Sequence, residues 1–176
     1  MILGCVLAGG QSTRFGSDKA LAELNGQTLL TRAVDALSGW CEQVVVAGRE
    51  TAPAPTLPDW PHPQMGPLAG IAAALHLALD EGYQAVLTCG VDSAGLPEDL
   101  LERLNPGPSY VSGQPVIGLW PASASARLDA LLESTGRHSM LAFAELLHAR
   151  AVELPVSPTN INTLNDLKAA EHNDGL

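Results

Sequence analysis

The chain opens on an unbroken apolar run over residues 2–8 that stops at Gly9-Gly10, the pattern of a strand buried on both faces. A stretch rich in Gly, Ser and Thr follows to residue 18 and reads as a loop. Leu29, Leu30, Ala33, Val34 and Leu37 recur at helical spacing, so an amphipathic helix is predicted over residues 27–38. Val44-Val45-Val46 reads as a second buried strand, which completes a βαβ unit. Residues 51–67 hold six prolines, at 53, 55, 58, 61, 63 and 67, and no regular element is expected to survive that density. Leu68, Ile71, Ala72, Leu75 and Leu79 mark another helix, with Pro67 in its first turn, and residues 85–89 form a third buried strand. Pro97 is expected to start a short helix that runs through Leu104. Beyond it, strands are predicted over 109–112 and 115–120, paired around Gly113. Helices over 125–133 and 138–149 and a last strand over 151–154 follow. Thr163-Leu164-Asn165-Asp166 has the S/T-x-x-D/E form that opens a helix, here the terminal one. Strands that alternate with helices predict one domain over residues 1–176, a three-layer α/β/α sandwich around a Rossmann-like, mostly parallel sheet.

Composition narrows the chemistry. The 176 residues are 46% hydrophobic and 16% charged, which suits a folded domain with a sizeable core. A net charge of -10 excludes non-specific nucleic-acid binding, which needs a basic surface. Any phosphate must therefore be met by local cations, backbone N–H groups or a metal rather than by the overall field. Cys5, Cys41 and Cys89 are odd in number and form no C-x-x-C, so neither a disulfide framework nor a zinc knuckle is suggested. Cys5 and Cys89 lie in apolar runs and read as core thiols. His76 and His148, on apolar helices, read as structural histidines, and Trp40, Trp60 and Trp120 as packing residues. With no basic leader and no apolar run of membrane length, a soluble cytoplasmic protein that meets no membrane is expected.

Open α/β sheets bind ligands at the carboxyl ends of their strands, near the point where strand order switches. Arg14 and Lys19 follow the first strand, Ala47-Gly48-Arg49 the second and Asp92 the third. Cations, small residues and a carboxylate thus converge on one sheet edge, an inventory that suits a nucleoside triphosphate with magnesium. The loop is neither a Walker A loop nor the G-x-G-x-x-G dinucleotide fingerprint. Taken singly, Arg14 and Lys19 fit solvated loop charges, Asp92 a helix cap, and Asn160 and Asn162 turn formers. The spacing as a set is what points to chemistry.

That set, L-A-G-G-x-S-x-R-x-G-x-D-K over residues 7–19, resembles the signature of the molybdenum cofactor guanylyltransferases and their cytidylyltransferase relatives, the MobA-like nucleotidyltransferases. Further similarity runs through residues 23–29, Gly66-Pro67-Leu68-Ala69-Gly70, Asp92 with residues 96–100, residues 115–119 and Asn160-Ile161-Asn162-Thr163. The resemblance implies a glycosyltransferase-A-like fold and Mg2+-dependent transfer of GMP from GTP to the phosphate of molybdopterin, with release of pyrophosphate. It implies that Leu7, Ala8, Gly9, Gly10, Lys19, Asp59 and Asp92 bind nucleotide and that Arg14, Lys19 and Asp92 serve catalysis. Asp92 would be the metal ligand, and Asn160 and Asn162 would face the acceptor. Passing contact with molybdoenzymes or cofactor-synthesis proteins is also implied. Two departures stand out. The family's P-C-D-x-P reads here Gly90-Val91-Asp92-Ser93-Ala94, without either proline, so a looser loop is expected. Ala47 stands where asparagine is common. A CTP-using enzyme, another small-molecule nucleotidyltransferase and a catalytically weak nucleotide-binding or regulatory module are the alternatives these departures leave.

Overall fold

The computed structural model describes residues 1–9, 18–63 and 65–174. Strand β1 (Ile2–Leu7) is followed by a 3-10 turn, Lys19–Leu21. A small hairpin comes next, β2 (Glu23–Leu24) and β3 (Gln27–Thr28), and leads into helix α1 (Leu29–Ser38). The hairpin turns on Asn25 and Gly26, both at positive φ (51° and 84°). Asn-Gly is the pair that a two-residue turn of this hand selects. Thr28 starts the helix two residues later than predicted, because its hydroxyl accepts from the N–H of Thr31 at 3.1 Å and so acts as the N-cap.

Strand β4 (Gln43–Ala47) pairs parallel to β1. The proline-rich stretch departs from expectation: it contains a short strand, β5 (Thr56–Leu57), parallel to β4. Thr56 and Leu57 are the two residues between Pro55 and Pro58, and an edge strand needs ladder donors on one side only. Carbonyls complete the pairing, with Val46 N–H donating to Pro55 O at 2.9 Å and Gly48 N–H to Leu57 O at 3.3 Å. Helix α2 (Pro67–Glu81) begins on its proline, and β6 (Ala85–Gly90) returns parallel to the other side of β1.

The remaining elements are β7 (Ser93–Ala94), α3 (Leu100–Leu104), β8 (Ser109–Val111), β9 (Gln114–Pro121) and α4 (Ser125–Glu133), then α5 (Met140–Leu146), β10 (Arg150–Val152), β11 (Thr159–Asn160) and α6 (Leu164–Asp174). Helix α3 starts three residues after Pro97, and α5 is shorter than the 138–149 predicted. Ser139 caps its start, and His148 lies beyond its end at φ 51° rather than on a helical face. The main sheet has seven strands in the order β10-β8-β9-β6-β1-β4-β5. Only β9 runs against its neighbours, so the sheet is mostly parallel, as predicted.

Alternation along the strands sorts the core into two layers. Leu3, Cys5, Val45 and Val86 face α2, α4 and α5. Val6, Val44, Val46 and Leu87 face α1 and α3. Trp120 is buried on the first face, its ring 4.9 Å from that of Phe143. Its Nε1–H donates to the Thr88 hydroxyl at 3.0 Å, and that hydroxyl donates on to Val116 O at 2.7 Å, so a buried polar group keeps its partners. A third, smaller cluster of Leu24, Leu29, Ile161, Leu167 and Ala170 packs the C-terminal segment and α6 against the β2–β3 hairpin.

Candidate functional site

The chain leaves β1 toward β4 on one side and returns through β6 on the other, so the carboxyl end of β1 is the switch point of the sheet. Leu7 closes β1 half-buried, and Ala8 is buried, its N–H donating to Ala47 O at 3.0 Å. Gly9 is exposed and lies against Gly48. A side chain on Gly48, which sits at φ +89°, would place its Cβ 2.6 Å from Gly9 Cα. Gly10 and Arg14, assigned to nucleotide binding and catalysis from the resemblance, lie outside the described residues.

Three distant segments meet at Lys19. Its Nζ lies 3.9 Å from Asp92 Oδ2 and donates to Asn162 Oδ1 at 3.4 Å. Lys19 opens the 3-10 turn, held there by Asp18, whose carboxylate accepts from Ala20 N–H at 3.2 Å. Asp92 is two residues past the end of β6, and its Oδ1 folds back over Gly90, where an added Cβ would come within 2.5 Å of it. No proline stiffens this loop. The antiparallel pairing of β7 with β11 does so instead, reinforced by Ile161 N–H donating to Asp92 O at 2.7 Å.

Asn162 is set by the start of α6. Thr163 Oγ1 accepts from Asp166 N–H at 3.1 Å, while Asp166 Oδ2 accepts from the N–H groups of Asn162 and Thr163, each at 3.0 Å. This is the reciprocal cap that the sequence predicts. The Asn162 N–H, the Thr163 hydroxyl and the Thr163 N–H, with Lys19 nearby, hold the Asp166 carboxyl below its ordinary value. Ile161 is fully buried between Asn160 and Asn162, so the two asparagines point away from that contact together. Asn160 is exposed and pairs with Ser93, the residue after Asp92.

Asp59 sits elsewhere on the same edge, beyond β5 and over α2, where an added Cβ at Gly70 would lie 3.7 Å from its Oδ1. Burial first, and then the charge of Asp59, push the Cys5 thiol up to about 12. Burial likewise raises Cys89, so both remain core thiols rather than nucleophiles. Trp60 departs from the packing role expected of it: it is 48% exposed, with its ring 4.8 Å from that of His76. His76 keeps a structural partner, Asp129, at 3.0 Å.

Sequence reasoning left one participant without a role. Arg49 grips Asp18 with two contacts of 2.9 Å, Nη1 to Oδ1 and Nη2 to Oδ2. The pair is 31 residues apart, and no local periodicity announces it.

Chemically, the edge offers one ammonium between a carboxylate and an amide oxygen. Asp92 and Asn162 supply the hard oxygen donors that a small divalent cation takes. Among the described residues no group of three or more His, Cys, Asp or Glu gathers to hold a metal.

Residues 4–151 match the family described as the MobA-like NTP transferase domain. The chain is similar to the molybdenum cofactor guanylyltransferase of Rhodobacter capsulatus, at 36% identity over 97% of this chain and 95% of that one. It is similar to the protein of the same name from Acidiphilium cryptum, at 35% identity over 94% and 92%. Among solved structures, the molybdopterin-guanine dinucleotide biosynthesis protein A of Archaeoglobus fulgidus superposes with a TM-score of 0.74 at 24% identity, covering 98% of each chain.

Proposed function

The chain belongs to the MobA-like NTP transferase family, and we propose that it transfers the guanylyl group of GTP to the phosphate of molybdopterin, releasing pyrophosphate. The observation that carries this reading is the meeting of Lys19, Asp92 and Asn162 at the switch point of the sheet. Residues of relatives named for this activity match over almost the whole chain.

The acceptor phosphate is already an anion, so the reaction needs little proton transfer. An acceptor oxygen forms a bond to the α-phosphorus of GTP while the bond to the bridging β-phosphate oxygen breaks, and that oxygen leaves on pyrophosphate. Repulsion between anions is the main barrier, so positioning and charge compensation dominate. Lys19 exchanges its contacts with Asp92 and Asn162 for phosphate oxygens and offsets the charge gathering there. Leu7, Ala8, Gly9 and, beyond β5, Asp59 border the nucleotide; Gly10 and Arg14 belong to the same set by position in the motif. Asn160 and Asn162 face the acceptor. Asp92, with Asn162 beside it, would hold Mg2+, which when bound supplies Lewis-acid neutralisation of phosphate charge. The same reading places the protein in the cytoplasm and in passing contact with cofactor-synthesis proteins or the molybdoenzymes that receive the product.

The test is incubation with molybdopterin and GTP, CTP or ATP, with and without Mg2+, followed by mass analysis of the product. A GMP adduct that requires Mg2+ and is lost in Asp92→Ala supports the reading. A CMP adduct, or GTP binding with no adduct, overturns it.

A further inference from the structure

We infer that Arg49 is a positioning residue for Lys19: its guanidinium grips Asp18 and thereby fixes the turn from which the Lys19 ammonium reaches the phosphates. The inference rests on the role proposed for Lys19 and goes beyond it.

Arg49 is itself well anchored. It follows Gly48, whose backbone lies so close to Gly9 that no side chain fits between them, and whose N–H donates to Leu57 O on β5. The end of β4 is therefore held between β1 and β5. From this fixed base the Arg49 side chain, 17% exposed, presents both terminal nitrogens to the two oxygens of Asp18. Planar, bidentate pairing of this kind fixes orientation as well as distance, which a lysine at the same place cannot do. Asp18 Oδ1 also accepts from Ala20 N–H, so one carboxylate joins the guanidinium to the backbone of the turn that begins at Lys19. The Arg49 contact, as the largest cause, keeps the Asp18 carboxyl below its ordinary value, so it stays ionised and paired at neutral pH.

A simple surface ion pair does not explain this arrangement. Among the described residues Arg49 Nε is buried and makes no hydrogen bond, so the guanidinium is set into the protein rather than extended into solvent. Two of its five N–H donors, one on each terminal nitrogen, go to Asp18, so the contact that the structure shows for Arg49 is with the turn. Its effect passes through the turn. Consecutive residues, Gly48 and Arg49, thus hold the two residues that flank segment 10–17, Gly9 and Asp18. A displacement of about 1 Å in a positioned group costs on the order of a hundredfold in rate.

The test compares Arg49→Ala, Arg49→Lys, Asp18→Asn, the Arg49→Ala/Asp18→Asn double variant and Lys19→Ala in the full chain. Two readouts are taken: hydrogen exchange of the amides of residues 20–22, and GTP kinetics with molybdopterin. For Arg49→Ala, faster exchange confined to residues 20–22 is expected. A fall of at least about tenfold in both kcat and kcat/KM is expected with it, because Lys19 acts in the transition state. Arg49→Lys, which keeps the charge without the fork, should resemble Arg49→Ala, and the double variant should be no worse than either single one. Unchanged exchange in Arg49→Ala, faster exchange with unaltered kinetics, or full activity in Arg49→Lys each overturns the inference. Loss of turnover in Lys19→Ala beside normal Arg49 variants leaves the function standing and removes only this inference. Full turnover in Lys19→Ala removes the role proposed for Lys19, while the exchange data still decide whether Arg49 holds the turn.

Discussion

The contact between Gly9 and Gly48 can be tested by adding a single methyl group. In Gly48→Ala the new Cβ lies 2.6 Å from both Cα and N of Gly9 and 3.5 Å from the carbonyl carbon of Ala8. All three are backbone atoms, so no rotamer change relieves the overlap, and the ends of β1 and β4 must move apart. Two costs add. Alanine at φ +89° loses about 1–2 kcal/mol relative to glycine, and overpacking against a rigid neighbour adds about 1–3 kcal/mol. A loss near 3 kcal/mol lowers Tm by roughly 6–12 °C in a chain of this size. Gly26→Ala isolates the first cost, since Gly26 has a similar φ of +84° and nothing within 4 Å of its added Cβ. It should lose only about 1–2 kcal/mol. Urea titrations of both variants, with m unchanged, give the difference directly. Equal losses would show that β1 and β4 do not meet at Gly9 and Gly48 as described, and the anchoring of Arg49 would lose its base.

Thr88→Val should cost about 2 kcal/mol in urea unfolding, because it leaves the buried Trp120 Nε1–H without its acceptor; a variant as stable as the parent would contradict that bond. Asp166 makes the start of α6 acid-sensitive. Its carboxyl is depressed in the folded chain, so its contribution is complete above the ordinary value of 3.8 and is lost as pH falls through the lower folded value. Thermal melts across that acid range should show a fall in the parent that is shallower in Asp166→Asn, and parallel curves would argue against the cap. With Cys5 and Cys41 both pushed up to about 12, chiefly by burial, thiol reagents at pH 8 should label the native protein far more slowly than the urea-unfolded chain. Rapid native labelling of Cys5, which is fully buried, would place that thiol outside the core.

Much of the fold is legible in one dimension because its central strands are buried on both faces while α1 buries one. The runs at β1, β4 and β6 are continuous and apolar, and α1 carries an apolar stripe, so each element announces itself by its own period. The misses have local causes. Prolines mask β5 because proline density argues against a ladder, yet an edge strand two residues long needs little of one. The β2–β3 hairpin carries an Asn-Gly signal, but its strands are too short to show alternation.

The site divides differently. Lys19, Asp92 and Asn162 are each legible as motif positions, but their contact spans 143 residues between Lys19 and Asn162 and is a product of topology. The absent prolines around Asp92 illustrate the point. Read along the chain, their loss predicts a looser metal loop. In the fold, β11 pairs with β7 and Ile161 N–H meets Asp92 O, so the C-terminal segment supplies the restraint that a proline otherwise would. That segment is in turn held by Ile161 in the third cluster and by the Thr163–Asp166 cap. The brace for Asp92 and the side chain of Asn162 therefore come from one stretch of chain. A change that frees residues 159–163 should disturb both ends of the Lys19 contact together, even where every motif residue is intact.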